Sequence, residues 1–182
     1  MPAKAANQWP ETPAATVIWL LQMAECPIWL DGGWGVDALL GCQTRPHEDV
    51  DVIVAAQHAP DLVARLGGAG FSDVPRDDSR ACNFVLGCAR RGLIDFHLVQ
   101  FDAAGNGIYG LPEPEGIYPA AAFAGRGSVL GQPVQCVTAA FQIENRLAGH
   151  RLRAKDFADM AALAAATGLD VPASLRRRAR EG

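Results

Sequence analysis

Apolar residues fall at helical spacing from Ala14 to Glu25, where Val17, Ile18, Leu20, Leu21 and Ala24 form one stripe that Pro27 ends. Ile28-Trp29-Leu30 predicts a short strand running into Asp31-Gly32-Gly33, a turn that needs the backbone freedom of glycine. Trp34 to Leu40 then reads as a helix stopping at Gly41, a natural C-cap. After the polar stretch Gln43 to Glu48 the period changes to two, and Asp49-Val50-Asp51-Val52-Ile53-Val54 predicts a strand. Helical spacing returns over His58 to Leu66, closed by Gly67, Gly68 and Gly70. Phe71 to Val74, Asn83 to Leu86 and Leu93 to Phe101 are successive strand candidates, expected to continue the sheet in antiparallel fashion.

Asp102 to Pro119 is rich in Gly, Pro and Glu and reads as an ordered loop able to close over a pocket. Val129 to Val137 predicts a hairpin turning at Gly131-Gln132. Thr138 is placed to cap a helix running to about Ala148, and a second helix is expected from Ala154 to Ala166, ending at Thr167-Gly168. The expectation is an α+β chain, with a core over residues 1–137 and a helical segment, 138–182, packed on it.

Composition narrows the classes. Hydrophobic residues make up 49% and charged residues 20% of the 182, without a long low-complexity tract, which suits a folded globular chain rather than a disordered one. No apolar run approaches the roughly 20 residues needed to cross a bilayer, so no membrane role is expected. Asn7, Gln8, Pro10, Glu11 and Pro13 break any apolar signal-peptide core, which predicts a cytoplasmic protein. Cys26, Cys42, Cys82, Cys88 and Cys136 are odd in number, widely spread and lack a Cys-x-x-Cys pair, so buried free thiols are expected rather than disulfides or zinc. A net charge of −4 argues against nucleic acid as partner, because that needs a basic track, and favours a small substrate. The one basic cluster, Arg176-Arg177-Arg178-Ala179-Arg180, reads as a solvated helix end.

The chemistry is concentrated in three carboxylates. Asp49 and Asp51 stand two apart on a strand, so both project from one face with their α-carbons about 7 Å apart. Like charges on a mostly buried sheet repel and lose hydration, whereas Mg²⁺ prefers hard oxygen ligands and turns that penalty into binding. Asp95 lies in the apolar run Leu93-Ile94-Asp95-Phe96-His97-Leu98-Val99, where an acid needs a partner, and a metal shared with Asp49 and Asp51 would supply one. Three acids from neighbouring strands suit a two-metal site, with Asp95 available to take a proton from an attacking hydroxyl. Gly32-Gly33 at a helix start lets backbone N–H groups approach a phosphate chain.

Trp29-Leu30-Asp31-Gly32-Gly33-Trp34-Gly35-Val36-Asp37, followed by Arg45-Pro46-His47-Glu48-Asp49-Val50-Asp51, resembles the signature of the small antibiotic nucleotidyltransferases. Lincosamide and aminoglycoside 2''-nucleotidyltransferases share it, and its Gly-Gly and Asp-x-Asp elements are similar to those of the polymerase-β-like superfamily. Ala56-Gln57-His58, Ile94-Asp95-Phe96-His97 and Glu115-Gly116-Ile117-Tyr118 resemble the lincosamide branch more closely. The resemblance spans roughly residues 26 to 165 and is strongest in its first third. It implies the nucleotidyltransferase fold, with a mixed, mostly antiparallel sheet flanked by helices and a short C-terminal helical part. It also implies transfer of a nucleoside monophosphate, AMP from ATP or another nucleoside triphosphate, to a hydroxyl of a small antibiotic. In that picture Asp49, Asp51 and Asp95 hold two Mg²⁺ ions, Asp95 is the base, and Gly32 and Gly33 face the triphosphate. The closer branch further suggests a homodimer.

Other candidates each have a plainer reading. Arg45 and His47 precede the acids in a loop from which they can reach phosphate oxygens, or they are ordinary polar surface. Lys155, with Asp156 and Asp159, begins a helix where the superfamily sometimes has a triphosphate-binding lysine, although a solvated helix face explains all three. His97 is either a hydrogen-bond partner of Asp95 or a satisfied core histidine, and Asp37 fits a supporting role behind the Gly-Gly turn. Glu113, Glu115 and Tyr118 are candidates for the acceptor pocket; the two acids allow a cationic acceptor without requiring one.

Two rival classes remain. Gly33-Trp34-Gly35-Val36-Asp37-Ala38 fits the G-x-G-x-x-A of a dinucleotide-binding oxidoreductase, but the acids begin the second strand instead of ending it. A non-catalytic nucleotidyltransferase-like regulatory or antitoxin protein would have no use for three clustered carboxylates.

Overall fold

The computed structural model describes residues 9–149 and 152–170. Within them the elements are α1 (Ala14–Met23), β1 (Ile28–Leu30), α2 (Gly32–Leu40), β2 (Asp49–Ala55), a single 3-10 turn Ala56–His58, α3 (Ala59–Gly68), β3 (Ser72–Asp73), β4 (Asn83–Cys88) and β5 (Gly92–Phe101). There follow β6 (Gly107–Tyr109), β7 (Gly116–Tyr118), a 3-10 turn Ala120–Ala124, β8 (Gly125–Val129), β9 (Gln132–Cys136), α4 (Ala139–Gly149) and α5 (Ala154–Thr167). The strands form one mixed sheet in the order β3-β4-β5-β2-β1-β9-β8, with β6 paired to β5 and β7 to β6.

Period-two alternation decides the two faces of the central strands. Val50, Val52 and Val54 of β2 and Ile94 and Phe96 of β5 are fully buried in the main core, against Val17 and Leu20 of α1 and Leu62 and Leu66 of α3. Each such side chain contributes on the order of 1.5–3 kcal/mol by leaving water. The opposite face is apolar only at its far end, where Ile53, Val99, Phe123 and Val137 cluster; towards the start of β2 it carries acids. On the same side of the molecule α4 and α5 pack on α2 through Val36, Ala139, Ile143, Met160 and Leu163.

Three seams differ from the expected pairing. β4 runs antiparallel to both β3 and β5 as expected, but β5 joins β2 in parallel, so the continuation reverses at that edge. The segment expected to be a loop from Asp102 to Pro119 contains the β6–β7 hairpin, whose strands of three residues are too short to leave a period in the sequence. The last hairpin begins at Gly125, and its turn is Leu130-Gly131, both at positive φ as two-residue hairpin turns require. Glycine hid that first strand. Cβ atoms at Gly125 and Gly127 would stand 2.2 Å from the carbonyls of Cys136 and Ala38, so residues of low strand propensity are obligatory there.

The oxidoreductase alternative does not survive the topology: β1 and β2 are antiparallel, and Gly33 to Ala38 lie within α2, whereas a dinucleotide-binding unit needs parallel strands about its glycine turn. Of the five free cysteines only Cys88 and Cys136 are buried; Cys42 is exposed, which corrects the expectation for that thiol. No helix of the described residues is long and apolar enough to cross a membrane. The Arg176 to Arg180 cluster lies outside the described residues.

Candidate active site

The parallel register of β2 and β5 aligns Asp51 with Asp95 and Ile53 with His97. One donor atom each from Asp51, Asp95 and His97 lies within 4.8 Å of the others. His97 Nε2 is 3.6 Å from Asp51 Oδ1 and 3.9 Å from Asp95 Oδ1. That Asp95 oxygen is buried and has no hydrogen-bond partner among the described residues. Asp49 stands outside this tight group but shares a cavity with Asp51 and Asp95, so the side chain that joins the two facing acids most closely is His97.

Electrostatics register the crowding. Burial, reinforced by the charges of Asp51 and Asp95, pushes the Asp49 carboxyl up to about 7. Burial pushes Asp95 up to about 6, with His97 opposing and Asp51 adding. Burial would raise Asp51 too, but the neighbouring imidazole outweighs it and holds this carboxyl below its ordinary value. Burial alone would lower His97; the close carboxylate of Asp51, with the fields of Asp95 and Asp31, raises it to about 9 instead. A buried, unpartnered carboxylate oxygen among hard donors fits a divalent cation.

The glycine turn is built around the same acids. Asp31 caps α2 by accepting the Gly32 N–H at 2.8 Å, and its own N–H donates to the Asp51 carbonyl at 3.0 Å. Gly32 has φ +55°, and a Cβ there would sit 1.9 Å from Asp51 Oδ2. A Cβ on Gly33 would sit 2.3 Å from His47 Nδ1. The glycines therefore do something the sequence reading did not include: they make room for Asp51 and His47. The Gly32 N–H, expected to face phosphate, is already engaged by Asp31.

His47 is buried rather than free in a loop. Its Nε2 meets Asp37 Oδ2 at 2.5 Å, its ring lies 4.7 Å from that of Trp34, and its Nδ1 is 3.0 Å from Arg45 Nη1. With Nε2–H donating to Asp37, Nδ1 accepts from Arg45. Asp37 also accepts from the backbone and hydroxyl of Thr44, at 3.1 and 2.6 Å, and so pins the whole approach to β2. Arg45 in turn pairs with Asp159 at 2.9 Å; Asp159 is buried, not part of a solvated helix face.

Two cavities meet at the carboxylates and share Gly32, Asp51, Asp78, Asp95 and Arg146. One, of about 660 Å³, adds Gly33, Arg45, His47, Asp49, Arg76 and Lys155. The other, of about 560 Å³, adds Arg80, Asn83, His97, Tyr109, Glu115, Tyr118 and Phe141. Here Arg80 Nη2 contacts Glu115 Oε2 at 2.5 Å and the Tyr109 hydroxyl at 3.3 Å, and that hydroxyl donates to Asn83 at 3.0 Å. Tyr118 packs 5.0 Å from Phe141, and burial holds its phenol well above the usual range. Glu113 is exposed and lines neither cavity.

Arg80, Tyr109, Phe141 and Arg146 did not stand out in the sequence. The last two had a legible signal: Phe141, Gln142, Asn145 and Arg146 recur at helical spacing as one aromatic and polar stripe of α4.

A mixed sheet with facing carboxylates beside a glycine turn at a helix start is the nucleotidyltransferase fold. Solved structures of other proteins share it. The lincosamide adenylyltransferase LnuA, bound to lincomycin, superposes with a TM-score of 0.74 at 24% identity, covering 87% of this chain and all of that one. ANT(2'')-Ia in complex with adenylyl-2''-tobramycin gives 0.62 at 23% identity, covering 93% and 98%. The chain belongs to the aminoglycoside-2''-adenylyltransferase family, whose profile matches residues 14–163. Among curated relatives it is 34% identical to a lincosamide resistance protein of Staphylococcus haemolyticus over 95 residues, 52% of this chain and 57% of that protein. It is 30% identical to a 2''-aminoglycoside nucleotidyltransferase of Escherichia coli over 116 residues, 60% and 57% of the two. The chain thus spans a little over half the length of the curated relatives it matches.

Proposed function

We propose that this chain is a Mg²⁺-dependent nucleotidyltransferase that moves AMP from ATP to a hydroxyl of a lincosamide antibiotic and thereby confers resistance. The observation that carries the reading is the junction of two cavities at Asp51 and Asp95, one in which Arg45, Arg76, Arg146, Arg153 and Lys155 stand across from the acids and the other walled by aromatic rings. On this reading Lys155 and Arg45 bind the triphosphate, while Tyr109, Tyr118 and Phe141 hold the acceptor. His47 supports Arg45, and Glu113 takes no part.

Asp49, Asp51 and Asp95 would hold the metal, with His97 beside them. When bound, Mg²⁺ supplies positive charge to the reacting phosphate oxygens. Asp95 takes the proton as the acceptor oxygen bonds to the α-phosphorus and the bond to pyrophosphate breaks; its raised carboxyl suits a base near neutral pH.

Lincosamide is favoured over aminoglycoside by charge. Beyond the metal acids and Asp31, the acceptor cavity sets Asp78 and Glu115 against Arg80 and Arg146, and Arg80 neutralises Glu115 directly. A polycation calls for an acidic pocket.

We further propose a cytoplasmic homodimer, with residues 138–182 as a helical part flanking the core. Incubating the chain with Mg²⁺ and each nucleoside triphosphate, against lincomycin, clindamycin, tobramycin and kanamycin, tests the activity by mass spectrometry. No adduct on any acceptor refutes it, adduct on the aminoglycosides alone refutes the acceptor class, and light scattering reports the assembly.

A further inference from the structure

We propose that Asp159 is a positioning residue for the nucleotide's phosphate chain, acting through Arg45 and Arg146; this rests on the reading of the cavity lined by Gly33, Arg76 and Lys155 as the triphosphate site. Asp159 projects from α5 and is 4% exposed. Its Oδ1 accepts from Arg45 Nε at 3.3 Å and its Oδ2 from Arg45 Nη2 at 2.9 Å. The same Oδ2 lies 3.6 Å from Arg146 Nη2. Two guanidinium groups from separate elements, the segment before β2 and α4, thus converge on one carboxylate from a third, and both line the cavity that holds Gly33 and Lys155.

The two-point grip on Arg45 fixes the plane of its guanidinium. Its remaining Nη1 bonds the Pro46 carbonyl at 3.3 Å and His47 Nδ1 at 3.0 Å, which continues the chain to Asp37. Arg146 is held at its other end by the Gln142 carbonyl at 3.1 Å. Without Asp159 two cations would stand side by side and repel; with it they are ordered before any ligand arrives, and one surplus positive charge still faces the cavity. Ordering these long side chains in advance removes an entropic cost from binding a polyanion.

A nucleoside monophosphate lacks the β and γ phosphates, so it separates this role from a structural one. Calorimetric titration of the full chain in Mg²⁺ buffer with ATP and AMP, and with GTP and GMP alongside, supplies the readout. Asp159→Asn should weaken triphosphate binding at least 10-fold and monophosphate binding less than twofold, and Asp159→Glu should recover triphosphate affinity to within about threefold of the parent. In an Arg45→Gln/Arg146→Gln background, with no guanidinium left to position, Asp159→Asn should change triphosphate affinity less than twofold. That comparison and Asp159→Glu decide the matter if Asp159→Asn alone does not fold. Equal losses for triphosphate and monophosphate, unchanged triphosphate affinity, or a full effect in the arginine-free background would overturn the positioning role alone. Failure of the parent chain to bind any triphosphate would overturn the nucleotide reading and this proposal with it.

Discussion

Asp51 and Asp95 face each other as register partners across the parallel seam between β2 and β5, and Asp95 keeps a buried oxygen with no hydrogen-bond partner among the described residues. The charge on Asp95 is expensive to maintain without a cation, since burial and the repulsion of Asp51 outweigh the attraction of His97. Asp95→Asn should therefore separate function from stability. Transfer activity should fall about 10²–10⁴-fold through loss of the base. The metal-free variant at pH 8 should gain about 1 kcal/mol, a rise of roughly 2–4 °C in thermal midpoint for a chain of this size. Calorimetry in EDTA checks this; a lower midpoint would show that the acids are not in conflict.

Gly32 is held at φ +55° against the Asp51 carboxylate. Gly32→Ala should cost about 1–2 kcal/mol for the left-handed backbone alone. The methyl group, 1.9 Å from Asp51 Oδ2, should also drive that carboxylate out of place. Mn²⁺ binding followed by electron paramagnetic resonance should weaken at least 10-fold, whereas Gly131→Ala, also at positive φ but with open space around it, should pay only the backbone cost. Equal metal affinity in the two variants would refute the packing role assigned to Gly32.

What the sequence revealed and what it hid follow from the range of each signal. The alternation of Asp49, Val50, Asp51 and Val52 is local, so one strand and its acidic face were legible from period alone. That Asp95 lies opposite Asp51 depends on a register between strands separated by α3, β3 and β4, and was reachable only because an acid in an apolar run demands a partner. The partnership of Asp159 with Arg45 spans 114 positions and leaves no periodic trace; a charged residue on a helix looks solvated until another element covers it. The β6–β7 hairpin was missed for the opposite reason, since its strands are shorter than any window in which alternation can be counted.

Thr12, fully buried, stitches the N-terminal segment to the start of β5. Its hydroxyl accepts the Leu93 N–H at 3.0 Å and donates to the Leu93 carbonyl at 3.1 Å. Thr12→Val keeps the shape and removes both bonds, so it should cost about 1–3 kcal/mol. Urea unfolding should show a lower midpoint at unchanged slope, and Thr12→Ser should recover most of the loss.

The pairing of Arg80 with Glu115 carries the argument on acceptor charge. Both side chains are partly exposed at the wall of the aromatic cavity, and Arg80 also bonds the Tyr109 hydroxyl. Removing the cation leaves Asp78 and Glu115 facing an acceptor with less to offset them. Arg80→Ala should therefore lower KM for tobramycin or kanamycin several-fold, or bring out turnover where the parent has none, while KM for lincomycin rises no more than about threefold. Glu115→Gln should move the aminoglycoside value the other way, because it removes the anion and leaves Arg80 free. Raising the salt concentration should shrink both effects, as expected of partly exposed charges. If both variants shift all acceptors equally, Arg80 and Glu115 shape the pocket without selecting by charge, and the preference for a lincosamide loses its electrostatic support.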